Sequence, residues 1–330
     1  MTAAALLARN PRPQGMRPVN PRRDMAELGS LIETAFAGQL DSYGMRMVRE
    51  MRALGRAGLL GWIIGRFSLP PAAYPQGFVW EADSRLIGNA SLLPVDGFPE
   101  RWVLANVAVH PDYRRQGIAR RLVQASLEYV GRRGGRELLL QVRVENAAAQ
   151  HLYLQLGFGQ ISLRTSWLAR RVGWLDRWAI PSQVRRRKAG EWADEYALVS
   201  RMFPEGPLWP YPCDPRLLRA GWLARLLAPE GGEHWFWTDS GRLRAALGAR
   251  LNSDGQGFRL ILCAEPEVEE QAGEALLAAY FKDGLHAGSQ LVLDYPAGRL
   301  DSTLSRFGFI KEDTLVWMAA RPPRLQPPEG

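Results

Sequence analysis

Lysine is nearly missing from this 330-residue chain, with three lysines against 39 arginines. Its basic character is therefore guanidinium chemistry and a compositional bias, not lysine-rich tails. Cysteine is also scarce. Cys213 and Cys263 make no disulfide framework and have no metal-ligand spacing, so a reducing cytoplasm is the expected compartment. Long apolar runs are missing too. The most membrane-like stretch, Leu59–Gly65, is bracketed by Arg56 and Arg66 and is far too short to span a bilayer. The opening MTAAALLARNPRPQG has no basic region ahead of its short apolar run, so no signal peptide is expected. Neither Gly-x-x-x-x-Gly-Lys-Ser/Thr nor an early Gly-x-Gly-x-x-Gly is present, which argues against a kinase and a dehydrogenase.

What is present is a globular composition, 46% apolar and 23% charged, long enough for two domains with separate cores. Charge is uneven. Residues 1–170 carry 22 Arg against 13 acidic groups, net +9; residues 171–330 carry 20 basic against 21 acidic groups, net −1. No reading helix, zinc finger or aromatic RNA-binding motif accompanies the surplus, so nucleic acid is not an expected partner. A small polyanion drawn to the first half is.

The densest signal runs from 107 to 158. Val103–Val109 reads as a buried strand stopped by Pro111. The turn Arg114-Arg115-Gln116-Gly117-Ile118-Ala119 lacks a side chain at Gly117 and has only a methyl at Ala119, so a phosphate could approach the backbone. Ile118, Leu122, Ala125 and Tyr129 then recur at helical spacing, and the helix start offers free N–H groups and a positive dipole end. Arg114, Arg115 and Arg120 add charge. A strand at Leu138–Val142 follows, then a second helix ending in Leu156-Gly157-Phe158.

This order resembles the GNAT superfamily of acyl-CoA-dependent N-acyltransferases, whose Gln/Arg-x-x-Gly-x-Gly/Ala turn binds the acetyl-CoA diphosphate. The resemblance implies acetyl-CoA as cosubstrate, held by Arg114, Arg115, Gln116, Gly117, Ile118, Ala119 and Arg120, with the backbone of Val107, Ala108 and Val109 along the pantetheine arm. It also implies Asn146 near that arm, beside its simpler part as a helix N-cap. Tyr153, four residues before Gly157, stands where the family often has a Tyr that protonates the CoA sulfur; unperturbed phenol and thiol pKa values lie within about two units. No metal is implied. The general base is unassigned: Glu81, Asp83, Asp96 and Glu100 lie on or between the preceding strands, and His110 and His151 flank the motif.

The end of the second half echoes the first. Leu156-Gly157-Phe158 and Trp167 find counterparts in Phe307-Gly308-Phe309 and Trp317, at spacings of 151 and 150 residues. Phe258–Cys263 and Glu267–Phe281 would be the second cofactor strand and helix, but Glu269 and Glu270 stand where the first copy has Arg114 and Arg115, and Leu304 where it has Tyr153. Like charges would oppose a diphosphate there.

The expected fold is therefore α/β (α+β), with two GNAT-like domains, each a mixed, mostly antiparallel twisted sheet flanked by helices. Residues 16–172 form the catalytic domain and 173–321 the degenerate one, with mobile ends at 1–15 and 322–330. Trp174, Trp178, Trp192 and Trp209 are expected to pack the halves together. In the acceptor segment, about 37–77, Tyr43, Met45, Met47, Met51, Trp62, Phe67 and Tyr74 suggest an apolar wall or a helix core. The expected activity is direct acetyl transfer to a primary amine of a small molecule, peptide or protein. Transfer of a bulkier acyl or aminoacyl group, and a non-catalytic acyl-CoA sensor or scaffold, are the alternatives.

Overall fold

The computed structural model describes residues 15–38, 42–56, 76–170, 179–218, 234–251, 257–283 and 288–323. Trp62, Phe67, Tyr74, Trp174 and Trp178, and most of both chain ends, lie outside them. The chain divides into two compact units. One holds everything up to Gln141, Asn146–Gly159 and the residues from Met318 on; the other holds Val142–Glu145 and Gln160–Trp317. The units thus interleave along the sequence, whereas the repeat was expected to divide it once, near 172.

The first unit begins β1 (Gly15–Pro18), α1 (Pro21–Ala35), α2 (Ser42–Arg56), β2 (Gln76–Ala82), β3 (Arg85–Val95) and β4 (Phe98–Val109). It continues α3 (Ile118–Arg132), β5 (Glu137–Arg143, to Gln141 in this unit) and α4 (Ala147–Gln155). Its strands run β1-β2-β3-β4-β5, antiparallel except for β4 and β5. A parallel pair needs a crossover, which α3 supplies.

Both sheet faces follow from the side chains. On one face, Met25, Leu28, Leu31 and Ile32 of α1 meet Val79, Leu86 and Ala108 of the sheet, and Val48 and Met51 of α2 join them. Met47 is partly buried against the same cluster, so within residues 37–77 Met51 is core and Met47 borders it. The two helices approach closely enough that a Cβ on Gly55 would meet Ala26 N at 2.6 Å. On the other face lies α3: a Cβ at Gly88 of β3 would meet Ile118 Cγ2 at 2.9 Å. The helix α2 was not legible, because its apolar residues read equally as a substrate wall.

The second unit takes in β6 (Gly159–Ala169), β7 (Val184–Arg186), α5 (Trp192–Met202), α6 (Pro215–Leu218), β8 (His234–Asp239), β9 (Arg242–Leu251) and β10 (Phe258–Ala264). α7 (Glu269–Lys282), β11 (Leu291–Pro296), α8 (Asp301–Arg306) and β12 (Ile310–Ala320, to Trp317 in this unit) follow. The strand order is β12-β6-β11-β10-β9-β8-β7. Here the repeat is visible as structure: β10 is antiparallel to β9 and parallel to β11 over three pairs, as β4 is to β3 and β5. Gly157 and Gly308 close the corresponding helices with φ of +86° and +81°, which favour glycine. The strand beside β11 is β6, pairing antiparallel from Leu291↔Ala169 to Pro296↔Arg164.

Candidate active site

The site is built where β4 leaves its partner. The parallel ladder to β5 covers only Arg101↔Glu137, Trp102↔Leu138 and Val103↔Leu139, so the last six residues of β4 run on beyond it. On the other side β4 stays paired with β3, through a bulge: Asn89 faces Ala108 while Ser91 faces Ala105, and Asn106 takes φ +51°. Asparagine is among the side chains that tolerate this conformation best. Val107 and Val109 are half-buried and Ala108 is buried against the α1 face. Sequence reasoning named the strand but missed the bulge and the buried Asn89 beneath it, whose one signal is an amide in an apolar run.

From Val109 the chain passes His110 and a 3₁₀ turn at Pro111–Tyr113, then reverses. Arg115 has φ +62° and Gly117 φ +78°. Gly117 is the N-cap of α3 and offers no side chain to bond the first-turn amides, so the N–H groups that an intrahelical ladder cannot satisfy face outward. Nothing lies within 4 Å of where a Gly117 Cβ would stand. Arg115, Gln116 and Gly117 are exposed, Ile118 is buried under the helix, and Ala119 and Arg120 are half-buried.

The arginines divide. Arg114, exposed like Arg115, folds back along the surface, its Nη2 donating to Ala35 O at 3.0 Å and its Nε to Val109 O at 3.3 Å. Arg120 donates to Gln155 Oε1, and Gln155 Nε2 lies 2.7 Å from His151 Nε2, which ties α3 to α4. Asn146 caps α4 by accepting from Ala149 N at 3.1 Å. Tyr153 is buried on that helix, its ring 5.7 Å from Phe158. Burial pushes its phenol up to about 12, so the gap to a thiol is wider than unperturbed values suggest.

Among the base candidates, Glu81 is buried and accepts from Arg17 Nε and Arg23 Nη2, both at 2.8 Å, so it is committed to a structural cluster with Asp24. Asp83 sits in the β2–β3 turn near Tyr113 Oη, and Asp96 and Glu100 are exposed. His110 Nδ1 lies 3.4 Å from Asp112 N. Among the described residues no three His, Cys, Asp or Glu side chains are grouped to hold a metal, and no helix is long and apolar enough to cross a membrane.

The counterpart in the second unit is sealed. Leu260 to Ala264 of β10 are all buried. Glu269 at the start of α7 accepts from Tyr295 Oη at 2.7 Å and from Arg299 Nε at 3.0 Å, and Glu270 accepts from Thr303 Oγ1 at 2.8 Å. Leu300 packs on Gly273, where a Cβ would meet its Cδ1 at 3.1 Å.

Residues 50–158 match the model of the acetyltransferase (GNAT) family. Over 64 residues the chain is 44% identical to the [ribosomal protein bS18]-alanine N-acetyltransferase of Escherichia coli, covering 19% of this chain and 43% of that one. Over 58 residues it is 45% identical to N-alpha-acetyltransferase 30 of Schizosaccharomyces pombe, covering 18% and 39%. The chain thus spans less than half the length of these curated relatives. Among solved structures, a GCN5-related N-acetyltransferase from Sphaerobacter thermophilus has a similar fold over 94% of this chain and 96% of that one, with a TM-score of 0.59 at 16% identity.

Proposed function

The chain belongs to the GNAT superfamily, and from that premise we propose that its first unit is an acetyl-CoA-dependent N-acetyltransferase acting on a primary amine, while the second is a copy without a cofactor site. The observation that carries this reading is the contrast between the two strand ends. Beyond Val103 the β4 backbone parts from β5 next to a helix start with no side-chain cap, whereas the same stretch of β10 is buried and the start of α7 carries bonded carboxylates.

Bound acetyl-CoA would supply an acyl thioester. The chain's own residues would do the rest. The N–H groups of Gln116–Arg120 and the guanidinium of Arg115 suit a diphosphate, since the helix dipole and the fixed positive charge act together. Arg114 braces that turn through Ala35 O and Val109 O, and Arg120 braces α3 against α4. The backbone of Val107 to Val109 would hold the pantetheine arm and the acyl carbonyl, with Asn146 close to the arm. Tyr153 keeps its proton throughout the neutral range and would release it to sulfur only where the thiolate forms in the same dry surroundings.

The acceptor is an amine. The curated relatives are named for acetylation of a ribosomal-protein alanine and for N-alpha-acetylation, so peptide α-amines belong beside small amines in the first screen. The repeat boundary near 172 and a cytoplasmic site of action are parts of the same proposal. Release of CoA thiol from acetyl-CoA, scanned over peptide N-termini and small amines, tests it. Acetyl-CoA binding without release for any amine would favour a sensor instead.

A further inference from the structure

Asn89 has no part in the motif that marks the family, yet it is bonded to the irregular point of β4 that lies nearest the cofactor turn. It lies in β3, 1% exposed, and its Nδ2 uses both protons, donating to Asn106 O at 2.7 Å and to Ser91 Oγ at 3.0 Å. The amide cannot be turned over, because its oxygen would then face the Asn106 carbonyl, an acceptor with no proton to give. Asn106 is the left-handed residue of the bulge, where Ala105 and Ala108 of β4 face Ser91 and Asn89 of β3.

A trans peptide is planar, and its C=O and N–H point in opposite directions. The Asn106–Val107 peptide is trans. Anchoring the Asn106 oxygen to a side chain of β3 therefore turns the Val107 N–H away from Asn89, and the strand on the other side of β4 has already parted at Val103. An unanchored bulge could rotate this plane and lose that aim.

We infer that Asn89 is a positioning residue: it locks the Asn106–Val107 peptide so that the Val107 N–H is presented to the acyl carbonyl oxygen. This rests on the acetyltransferase reading of the same site. It adds that transition-state stabilisation depends on a buried amide of β3 that touches neither cosubstrate. A preorganised donor differs from a flexible one in kcat, and loss of one such donor costs about 10²–10³-fold.

The test uses the full chain. Asn89→Leu keeps the side-chain shape and removes both donors; Asn89→Ala serves if Asn89→Leu folds poorly, judged by thermal melting. The expected result is a kcat lower by about 10²-fold with unchanged CoA affinity, since the diphosphate site is elsewhere. Isotope-edited infrared spectra should show the bound acetyl carbonyl stretch shifted toward that of a carbonyl without a hydrogen bond. A crystal structure of the variant should show the Asn106–Val107 peptide rotated. An unrotated peptide overturns the inference whatever the activity, and so does an unchanged carbonyl frequency with full turnover. Failure of the wild-type protein to bind CoA would instead overturn the acetyltransferase reading, with the peptide rotation still read from the unliganded variant.

Discussion

Arg114 donates to the main-chain oxygen of Ala35, 79 residues away, at the C-terminal end of α1. The last carbonyls of a helix lack intrahelical donors and carry its negative dipole end, so the guanidinium completes α1 and anchors the cofactor turn at once. Arg114→Ala should therefore loosen CoA binding through the turn's geometry, and Arg115→Ala through lost charge. Titration calorimetry at two salt concentrations separates them: the Arg115 effect should shrink at high salt, and the Arg114 effect should persist.

Gly117 has φ +78° and open space where a Cβ would stand. Gly117→Ala should cost about 1 kcal/mol or somewhat more in stability from backbone strain. Gly117→Trp should keep the fold and lose CoA binding, because the indole takes the space before the helix start. Unchanged CoA affinity in a folded Gly117→Trp protein would move the diphosphate elsewhere.

Tyr153→Phe keeps the buried ring against Phe158 and removes the proton donor. Turnover should fall by about 10²–10⁴-fold while acetyl-CoA binding survives. Since the phenol is pushed up to about 12 by burial, it stays protonated well past the ordinary tyrosine value of about 10. The pH–rate profile of the wild-type protein should therefore show no descending limb from this group up to that value. A limb that appears lower and vanishes in Tyr153→Phe would show a phenol less shifted than its burial implies, whereas unchanged turnover in Tyr153→Phe would refute its role as the acid.

How far the site could be read from sequence depended on distance along the chain. The strand, Pro111, Gly117 and the helix start are contiguous, and their local preferences act within one turn, so the expected elements and the observed ones nearly coincide at Val109, Ile118 and Leu138. Asn89 binding Asn106, and Arg114 binding Ala35, are long-range pairings that no local pattern encodes. The second copy was readable through Glu269 and Glu270 as charge. Their bonds to Tyr295, Arg299 and Thr303, which turn a lost site into a packed one, were not.

One CoA per chain is the expected stoichiometry, and none in Gly117→Trp. Only the intact chain can test it. A fragment starting at 171 lacks β6, which pairs with β11 inside the second unit. Two molecules bound per chain would show that the sealed strand end opens.

Asp24 is buried and takes Arg17 Nη1 at 2.7 Å and Asn20 N at 2.7 Å. Burial alone would raise its carboxyl; the bonds from Arg17, Asn20 and Arg23 outweigh this and hold it below the ordinary range. Its contribution is thus present above the unfolded value of about 3.9 and is lost as pH falls through the lower folded value. Asp24→Asn should cost about 1–3 kcal/mol at neutral pH, and the gap between variant and wild type in urea denaturation should close only below about pH 4.

The pairing of β6 with β11 also sets a timetable. Leu291 leaves the ribosome 122 residues after its partner Ala169, which at ordinary elongation rates is roughly 6–24 s. During that interval the edge of β6 that β11 will cover has no native partner, and an uncovered strand edge is a template for foreign chains. Nascent-chain yield should accordingly respond to holdase chaperones most strongly for ribosomes stalled between these two strands.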